Sequence, residues 1–305
     1  MTPPPPQQPL LGAASPLTAE VVSGPVRRAV VLARFDTALY LAVGAHQEVL
    51  PVVTSDALAL PTAVRLPMRS DALRWGVGPG DTVLVGGSSL HLGPREVRVV
   101  RRWRPSRVTP VPATLPATRL ASLAERLDCA ASAGRAATDP GDSAGPSLTV
   151  RSADVVRAAL SGSDVVDALV HEMVGAGAGL TPSGDDALCA VLLVLRGAGA
   201  QRARALLDTA VGAAARRTTS LSASLLHAAA QGYAVPAVAD LVRAVLCDDP
   251  VARGPALAAV LAIGSSSGRD LVAGIAGALH VLAAPPAPSA PPSVAVRQPV
   301  GRGNP

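Results

Sequence analysis

The stretch best suited to chemistry is a glycine-rich segment that ends in two adjacent carboxylates. It reads Gly175-Ala-Gly-Ala-Gly-Leu-Thr-Pro-Ser-Gly-Asp-Asp186. Its glycines let the backbone approach a ligand closely, Thr181 offers a hydroxyl, and Ser183 is expected to cap the helix that follows. Free N–H groups at such a helix start favour an anion. The segment therefore predicts a small-ligand site.

The paired carboxylates restrict the kind of ligand that this segment can bind. Asp185 and Asp186 would repel a bare phosphate, so they indicate hydrogen bonds to a substrate amide, a salt link to arginine, or a bridging Mg²⁺ ion. A purely structural interpretation also stands, because aspartate in the first turn of a helix complements the helix dipole. The glycine-rich context favours the functional interpretation.

A second helix start repeats the pattern. The segment Ile263-Gly-Ser-Ser-Ser-Gly-Arg-Asp270 also leads into an apolar helix. Its Ser267-Gly268-x-Asp270 aligns with Ser183-Gly184-x-Asp186. The two starts either face one pocket or are similar caps at separate places, and the sequence leaves both open.

A third candidate is Arg216-Arg-Thr-Thr-Ser-Leu-Ser222, which precedes a helix carrying His227. The guanidinium fork of Arg216 or Arg217 matches a carboxylate or a phosphate bidentately. The alternative is a solvated arginine pair that ends one helix, followed by a Ser/Thr cap that starts the next. Both interpretations remain open.

Composition excludes several chemistries. The 27 basic residues of the 305-residue chain are all arginine. Without lysine there is no pyridoxal phosphate site, no Schiff-base aldolase and no P-loop nucleotide site. One Phe, two Tyr and two Trp are few for base stacking, so nucleic acid is not expected as a partner. The dispersed cysteines and histidines predict no metal site, although Mg²⁺ stays open as a cofactor.

The chain divides by composition into five parts. We expect disordered Pro-rich tails at 1–24 and 285–305, a β-rich domain at 25–104, a Pro-rich linker at 105–118 and a helical domain at 119–284. The predicted fold class is α+β, with a small N-terminal β-rich domain followed by a larger all-helical domain. The apolar runs are too short to span a bilayer, so a cytoplasmic location without membrane association is expected.

Within these parts, periodicity predicts the elements. The helices that follow Asp186 and Asp270 are apolar all round, so we expect them to be central and buried, with small residues that allow close backbone contact. The predicted strands are Ala29–Phe35, Ala38–Val43, Val49–Val53, Thr82–Val85 and Val97–Trp103.

Three of these segments together resemble a known bacterial family. Gly179-Leu-Thr-Pro-Ser-Gly-Asp-Asp186, Thr218–Leu226 and Leu261–Gly274 are similar to the AllH family, the AllH-type subunits of oxamate carbamoyltransferase. The resemblance extends over roughly residues 25–284. This chain has Gly-Ala-Gly-Ala-Gly where the family pattern suggests Gly-Leu-Gly-Pro-Gly. The resemblance implies carbamoyl transfer between oxamate and carbamoyl phosphate at the end of allantoin breakdown, together with other carbamoyltransferase subunits or as a homo-oligomer.

The resemblance also implies roles for individual residues. Asp185 and Asp186 are the expected catalytic pair, orienting a carbamoyl amide or a metal, while the Gly184 N–H holds an anion. The alternative is a non-catalytic subunit that binds a small carboxylate or a phosphorylated metabolite. The expected substrate-binding residues are Gly179, Thr181, Ser183, Gly184, Arg216, Arg217, Thr218, Ser220, Ser266, Ser267, Gly268, Arg269 and Asp270.

Overall fold

The computed structural model describes residues 8–44, 48–112, 115–133 and 146–284. The expected C-terminal tail at 285–305 and the first seven residues lie outside the described residues. The described chain begins with strands and continues with helices, in the order that the sequence predicts.

The strands close into a barrel in the order β1-β5-β4-β3-β2-β6-β7-β8. Most neighbours are antiparallel, whereas β1 pairs with β8, and β4 with β5, in parallel. The strands are β1 (Leu10–Ala14), β2 (Arg27–Arg34), β3 (Ala38–Val43), β4 (Glu48–Val53), β5 (Val64–Arg65), β6 (Thr82–Gly86), β7 (Ser89–Leu92) and β8 (Arg95–Arg102), with helix α1 (Ala19–Ser23) between β1 and β2.

Alternation along the strands fills the barrel. In β2, Ala29 and Val31 are buried inside, while Val30 and Leu32 point outward and are exposed, as a period of two requires. Leucines from β3 and β7 complete this core. The outer face of β3 and β4 is also buried, because the helices pack against it.

The predicted fold class needs a correction. The β-rich part is a closed eight-stranded barrel, so the expectation of a small β domain is wrong, while the order of a β-rich part before helices is right. Closure depends on β1 lying beside β8, with Leu10 opposite Val97. Leu10–Ala14 belongs to the part predicted as a disordered Pro-rich tail, because a single five-residue strand beside prolines shows no periodicity of its own.

The helices pack around two buried ones, α5 and α10. Almost every residue of α5 after its first is buried, and so is most of α10, as their apolar sequences predict. The helices are α2 (Ala117–Ser132), α3 (Leu148–Ser161), α4 (Val166–Met173), α5 (Ser183–Gly197), α6 (Gln201–Ala214), α7 (Ser220–Ala230), α8 (Pro236–Leu246), α9 (Pro250–Leu261) and α10 (Ser267–Leu282).

Glycine brings α5 and α10 into backbone contact. A Cβ atom on Gly274 would lie 2.3 Å from the carbonyl oxygen of Ala187. No side chain fits at that distance, so the expected close approach of the small residues is confirmed. Among the described helices, none combines the length and the hydropathy that crossing a bilayer requires.

Residues 105–112, predicted as a linker, form a strap along the helices. The Val108 N–H donates to Gly232 O at 2.8 Å, and the Val111 N–H donates to Gly197 O at 2.9 Å. Arg196 Nε in turn donates to Val108 O at 2.9 Å. The strap therefore attaches the chain leaving the barrel to the helical core.

Candidate functional site

A cavity of about 430 Å³ lies between the barrel and the helices α5, α7 and α10. We call it the junction cavity. Its walls are mainly apolar and aromatic, with Tyr40 from the barrel and Tyr233 from the helical part. Its polar groups include Thr181, Asp186 and Ser267, which come from the two repeated helix starts.

The repeated helix starts meet at this cavity. The hydroxyls of Thr181 and Ser267 lie 3.0 Å apart, within hydrogen-bonding distance. At each start a glycine packs directly against a neighbouring backbone. A Cβ on Gly184 would lie 2.0 Å from Met173 O, and a Cβ on Gly268 would lie 2.2 Å from Val260 O. Of the two alternatives that the sequence left open, the structure has both starts facing one pocket.

Asp186 is the buried carboxyl of the junction cavity. It is 7% exposed, and its Oδ2 has no hydrogen-bond partner among the described residues. Burial raises the pKa of Asp186 from 3.8 to about 7, aided by the charges of Asp270 and Asp185, while hydrogen bonds from Ser267 and Thr181 oppose the rise. A group with this pKa gives and takes a proton near neutral pH.

Asp185 has a different environment, although it is the next residue. It is 1% exposed and both of its oxygens are engaged: Oδ1 accepts from the Gly175 N–H at 2.9 Å, and Oδ2 accepts from the Thr218 hydroxyl. It therefore connects the glycine-rich segment, the first turn of α5 and the segment that precedes α7. Its geometry is that of a positioning residue.

The N–H groups at the helix starts are already used inside the protein. The Gly184 N–H donates to Ala176 O at 2.9 Å, and the Gly268 N–H donates to Ile263 O at 3.0 Å. The Gly184 N–H is thus engaged in this conformation and does not offer the expected anion contact. The predicted cap is also displaced: α5 begins at Ser183, and Pro182 precedes it without a side-chain cap.

Helix α7 separates the junction cavity from a second cavity of about 580 Å³. Leu221 and Leu225 line the junction cavity, whereas Ser220, Ser224 and His227 line the second cavity. The two sets lie on adjacent faces of α7 because each follows a spacing of three or four residues. The second cavity is bounded on its other side by α1 and the start of β4.

The expected substrate-binding residues are thus divided between two cavities. Thr181, Asp186 and Ser267 line the junction cavity, and Arg216, Thr218 and Ser220 line the second one. Asp270 is buried close enough to raise the pKa of Asp186. The others line neither cavity: Gly179, Ser266 and Arg217 are exposed, Ser183 and Arg269 are half-buried, and Gly184 and Gly268 are packing contacts.

Sequence reasoning missed several lining residues. Tyr40 and Tyr233 are distant from the motifs, so no local pattern could place them at the junction cavity. Cys189 is buried and lines the junction cavity as well. Burial and the nearby Asp186 raise the pKa of its thiol well above the ordinary value, so the thiol stays neutral.

The two cavities differ in charge. Among the described residues, no arginine or histidine lines the junction cavity, whereas Arg216 and His227 line the second one. Over the same described ranges, no group of three or more His, Cys, Asp or Glu side chains is placed to hold a metal ion. The junction cavity therefore suits an uncharged polar group better than a phosphate.

Comparison of the sequence with known protein families tests the resemblance to the AllH family. Residues 173–279 match the family model described as oxamate carbamoyltransferase subunit AllH. This segment, about a third of the chain, is AllH-like. The matched segment runs from the end of α4 into α10, so it contains both repeated helix starts and α7, while the barrel lies outside it. No curated protein and no solved structure matches the chain.

Proposed function

We propose that this AllH-like chain is a subunit of a carbamoyltransferase and that its junction cavity holds the amide-bearing part of the substrate. The observation that carries the proposal is Asp186, a buried carboxyl with a pKa of about 7 inside the segment that matches the family. The family description names a subunit, so the functional enzyme includes further carbamoyltransferase subunits.

Asp186 then acts at the nitrogen of the acceptor. In carbamoyl transfer this nitrogen forms a bond to the carbamoyl carbon, the bond from that carbon to the phosphate oxygen breaks, and phosphate leaves. The nitrogen loses one proton, which the Asp186 carboxylate accepts, and in the reverse direction the protonated Asp186 returns it. A pKa near the working pH suits both directions.

The neighbouring residues position this group. The hydroxyls of Thr181 and Ser267 lie within hydrogen-bonding distance of each other and line the cavity beside Asp186, where they favour its charged form. Asp185 holds the helix start through Gly175 and Thr218. Since the junction cavity has no basic lining residue among those described, we infer that another subunit supplies the groups that contact the phosphate of the donor at the mouth of this cavity.

Asp186→Asn tests the catalytic assignment. In the enzyme reconstituted with its partner subunits, this variant should lower kcat by at least about 100-fold, because general-base catalysis typically contributes that much or more. Asp167→Asn is the matched control, since Asp167 is an exposed carboxylate on α4. Full carbamoyl transfer by Asp186→Asn would show that the assignment is wrong.

Ligand binding to the purified chain tests a non-catalytic role. Carbamoyl phosphate, oxamate and Mg²⁺ are added separately, and a ligand of the folded state raises the unfolding temperature. If oxamate stabilises the wild-type chain but Asp186→Asn keeps full activity in the complex, the chain binds a metabolite and Asp186 does not catalyse transfer. If none of the three stabilises a folded chain, both small-ligand roles fail.

A further inference from the structure

We propose that the second cavity, on the Ser220–His227 face of α7, binds a small molecule with a carboxylate at one end and an ammonium group at the other. The class is that of amino acids. This site is separate from the Asp186 site, and the proposal does not rest on the proposed carbamoyl transfer.

The helical wall of the second cavity supplies the group for the carboxylate. Arg216 lies in the 3₁₀ turn before α7 and lines the cavity. Its guanidinium is exposed and forms no ion pair with any described residue. Ser220, the first residue of α7, adds a hydroxyl to the lining of the same cavity. A guanidinium with a nearby hydroxyl suits a carboxylate, which accepts two hydrogen bonds from one arginine.

The barrel wall supplies the opposite charge. Glu48 is the first residue of β4, is exposed, and lines the same cavity. Like Arg216, it forms no ion pair with a described residue. A plain anion would be attracted by Arg216 and repelled by Glu48, whereas a molecule with both charges is complementary to both walls.

A buried hydroxyl gives an independent indication of a ligand. Thr62 lines the second cavity and is 4% exposed, yet its Oγ1 has no hydrogen-bond partner in the described structure. Buried polar groups are nearly always hydrogen-bonded, so an unpaired one indicates a missing ligand or water. Thr62 belongs to the barrel wall, on the side of Glu48, where the N–H groups of an ammonium end would lie.

Isothermal titration of the full chain tests the proposal with matched probes. Glycine, β-alanine and 4-aminobutanoate are compared with acetate, propanoate and butanoate, which have the same carbon chains but lack the ammonium group. We expect at least one amino acid to bind about 10-fold or more tightly than its matched carboxylate, since a charge-assisted hydrogen bond contributes a factor of this size. Equal binding of each pair would overturn the proposal, as would no binding at all.

Variants assign the binding to this cavity. Arg216→Ala should weaken binding of the amino acid about 10-fold or more, while Glu48→Gln should remove the preference over the matched carboxylate. Arg217→Ala is the control, because it removes the adjacent exposed guanidinium, which lines neither cavity. If Arg217→Ala or Asp186→Asn abolishes binding and Arg216→Ala does not, the site lies elsewhere and the proposal is wrong.

Discussion

Two adjacent aspartates show how far residue type determines role. Asp185 and Asp186 are chemically identical and both buried, but Asp185 has donors on both oxygens, while Oδ2 of Asp186 has none among the described residues. The sequence could identify the pair but not separate its members. The Thr218 donor to Asp185 is 33 positions away along the chain, and such a partner has no local signature.

The pKa of Asp186 predicts a dependence of stability on pH. Its folded-state pKa, about 7, exceeds the ordinary 3.8, so the folded protein holds a proton that the unfolded chain releases. Its contribution is therefore fully present below about pH 4 and is lost as pH rises to about 7. Asp186→Asn removes this loss and should increase the free energy of unfolding at pH 8 by up to about 4 kcal/mol.

Urea unfolding at pH 5 and pH 8 measures the effect, with Asp167→Asn as the exposed control. We expect a gain for Asp186→Asn that is larger at pH 8 than at pH 5, and little change for the control. A variant that is more stable but inactive is typical of a functional carboxyl. An equal effect at both pH values would contradict the raised pKa.

The link through Asp185 predicts an energetic coupling. Asp185→Ala leaves the Gly175 N–H and the Thr218 hydroxyl without their acceptor, which should cost about 3 kcal/mol of stability. Thr218→Val should cost about 1–3 kcal/mol. In a double-mutant cycle the two losses should add to more than the loss in the double variant, because they share one hydrogen bond. Strict additivity would show that the bond contributes nothing.

At the scale of elements, local patterns predicted the helices better than the barrel. The strand predicted at Ala38–Val43 coincides with β3, and the helix predicted to carry His227 is α7, since strand and helical periodicities are local. Barrel closure requires β1 beside β8, about 90 residues later, and β5 has only two residues. Hydrophobic alternation within one segment reveals neither a distant partner strand nor a two-residue strand, so the sequence predicted only a small β-rich domain.

The glycines at the helix starts predict a sharp contrast between substitutions. Gly184→Ala would place a Cβ 2.0 Å from the backbone oxygen of Met173, so α5 must shift and stability should fall by about 2 kcal/mol or more. Gly212→Ala is the matched control on α6, where a Cβ meets nothing within 4 Å. That substitution should stabilise the helix by about 0.5–1 kcal/mol.

Chemical denaturation of the two glycine variants measures this difference. The expected signs are opposite, although the same methyl group is added to the same residue type in a helix. If Gly184→Ala were tolerated as well as Gly212→Ala, the packing of α5 against α4 would not be as close as the structure has it.

At the scale of the whole molecule, the site depends on contact between the barrel and the helices. The junction cavity has walls from both parts, the outer face of β3 and β4 belongs to the helical core, and the strap fixes the connection through Val108. Residues of the predicted linker thus maintain the geometry on which both proposed sites rely. The two parts should therefore unfold together.

Two spectroscopic signals separate the parts. Trp75 and Trp103, the two tryptophans of the chain, hydrogen-bond to Phe35 O and Ala63 O within the barrel part, so fluorescence reports the barrel, while circular dichroism at 222 nm reports mainly the helices. The wild-type transitions should coincide, as in a cooperative two-state unfolding.

Arg196→Met removes the charged hydrogen bond to Val108 O and should lower the free energy of unfolding by about 1–3 kcal/mol. Because that bond joins the strap to α5, the two transitions should then separate. Arg243→Met, which breaks an exposed pair with Asp240, should change stability by less than about 1 kcal/mol and leave the transitions coincident. Separate transitions already in the wild type would mean that the barrel and the helices are independent, and the junction cavity would then require a partner subunit to hold its walls together.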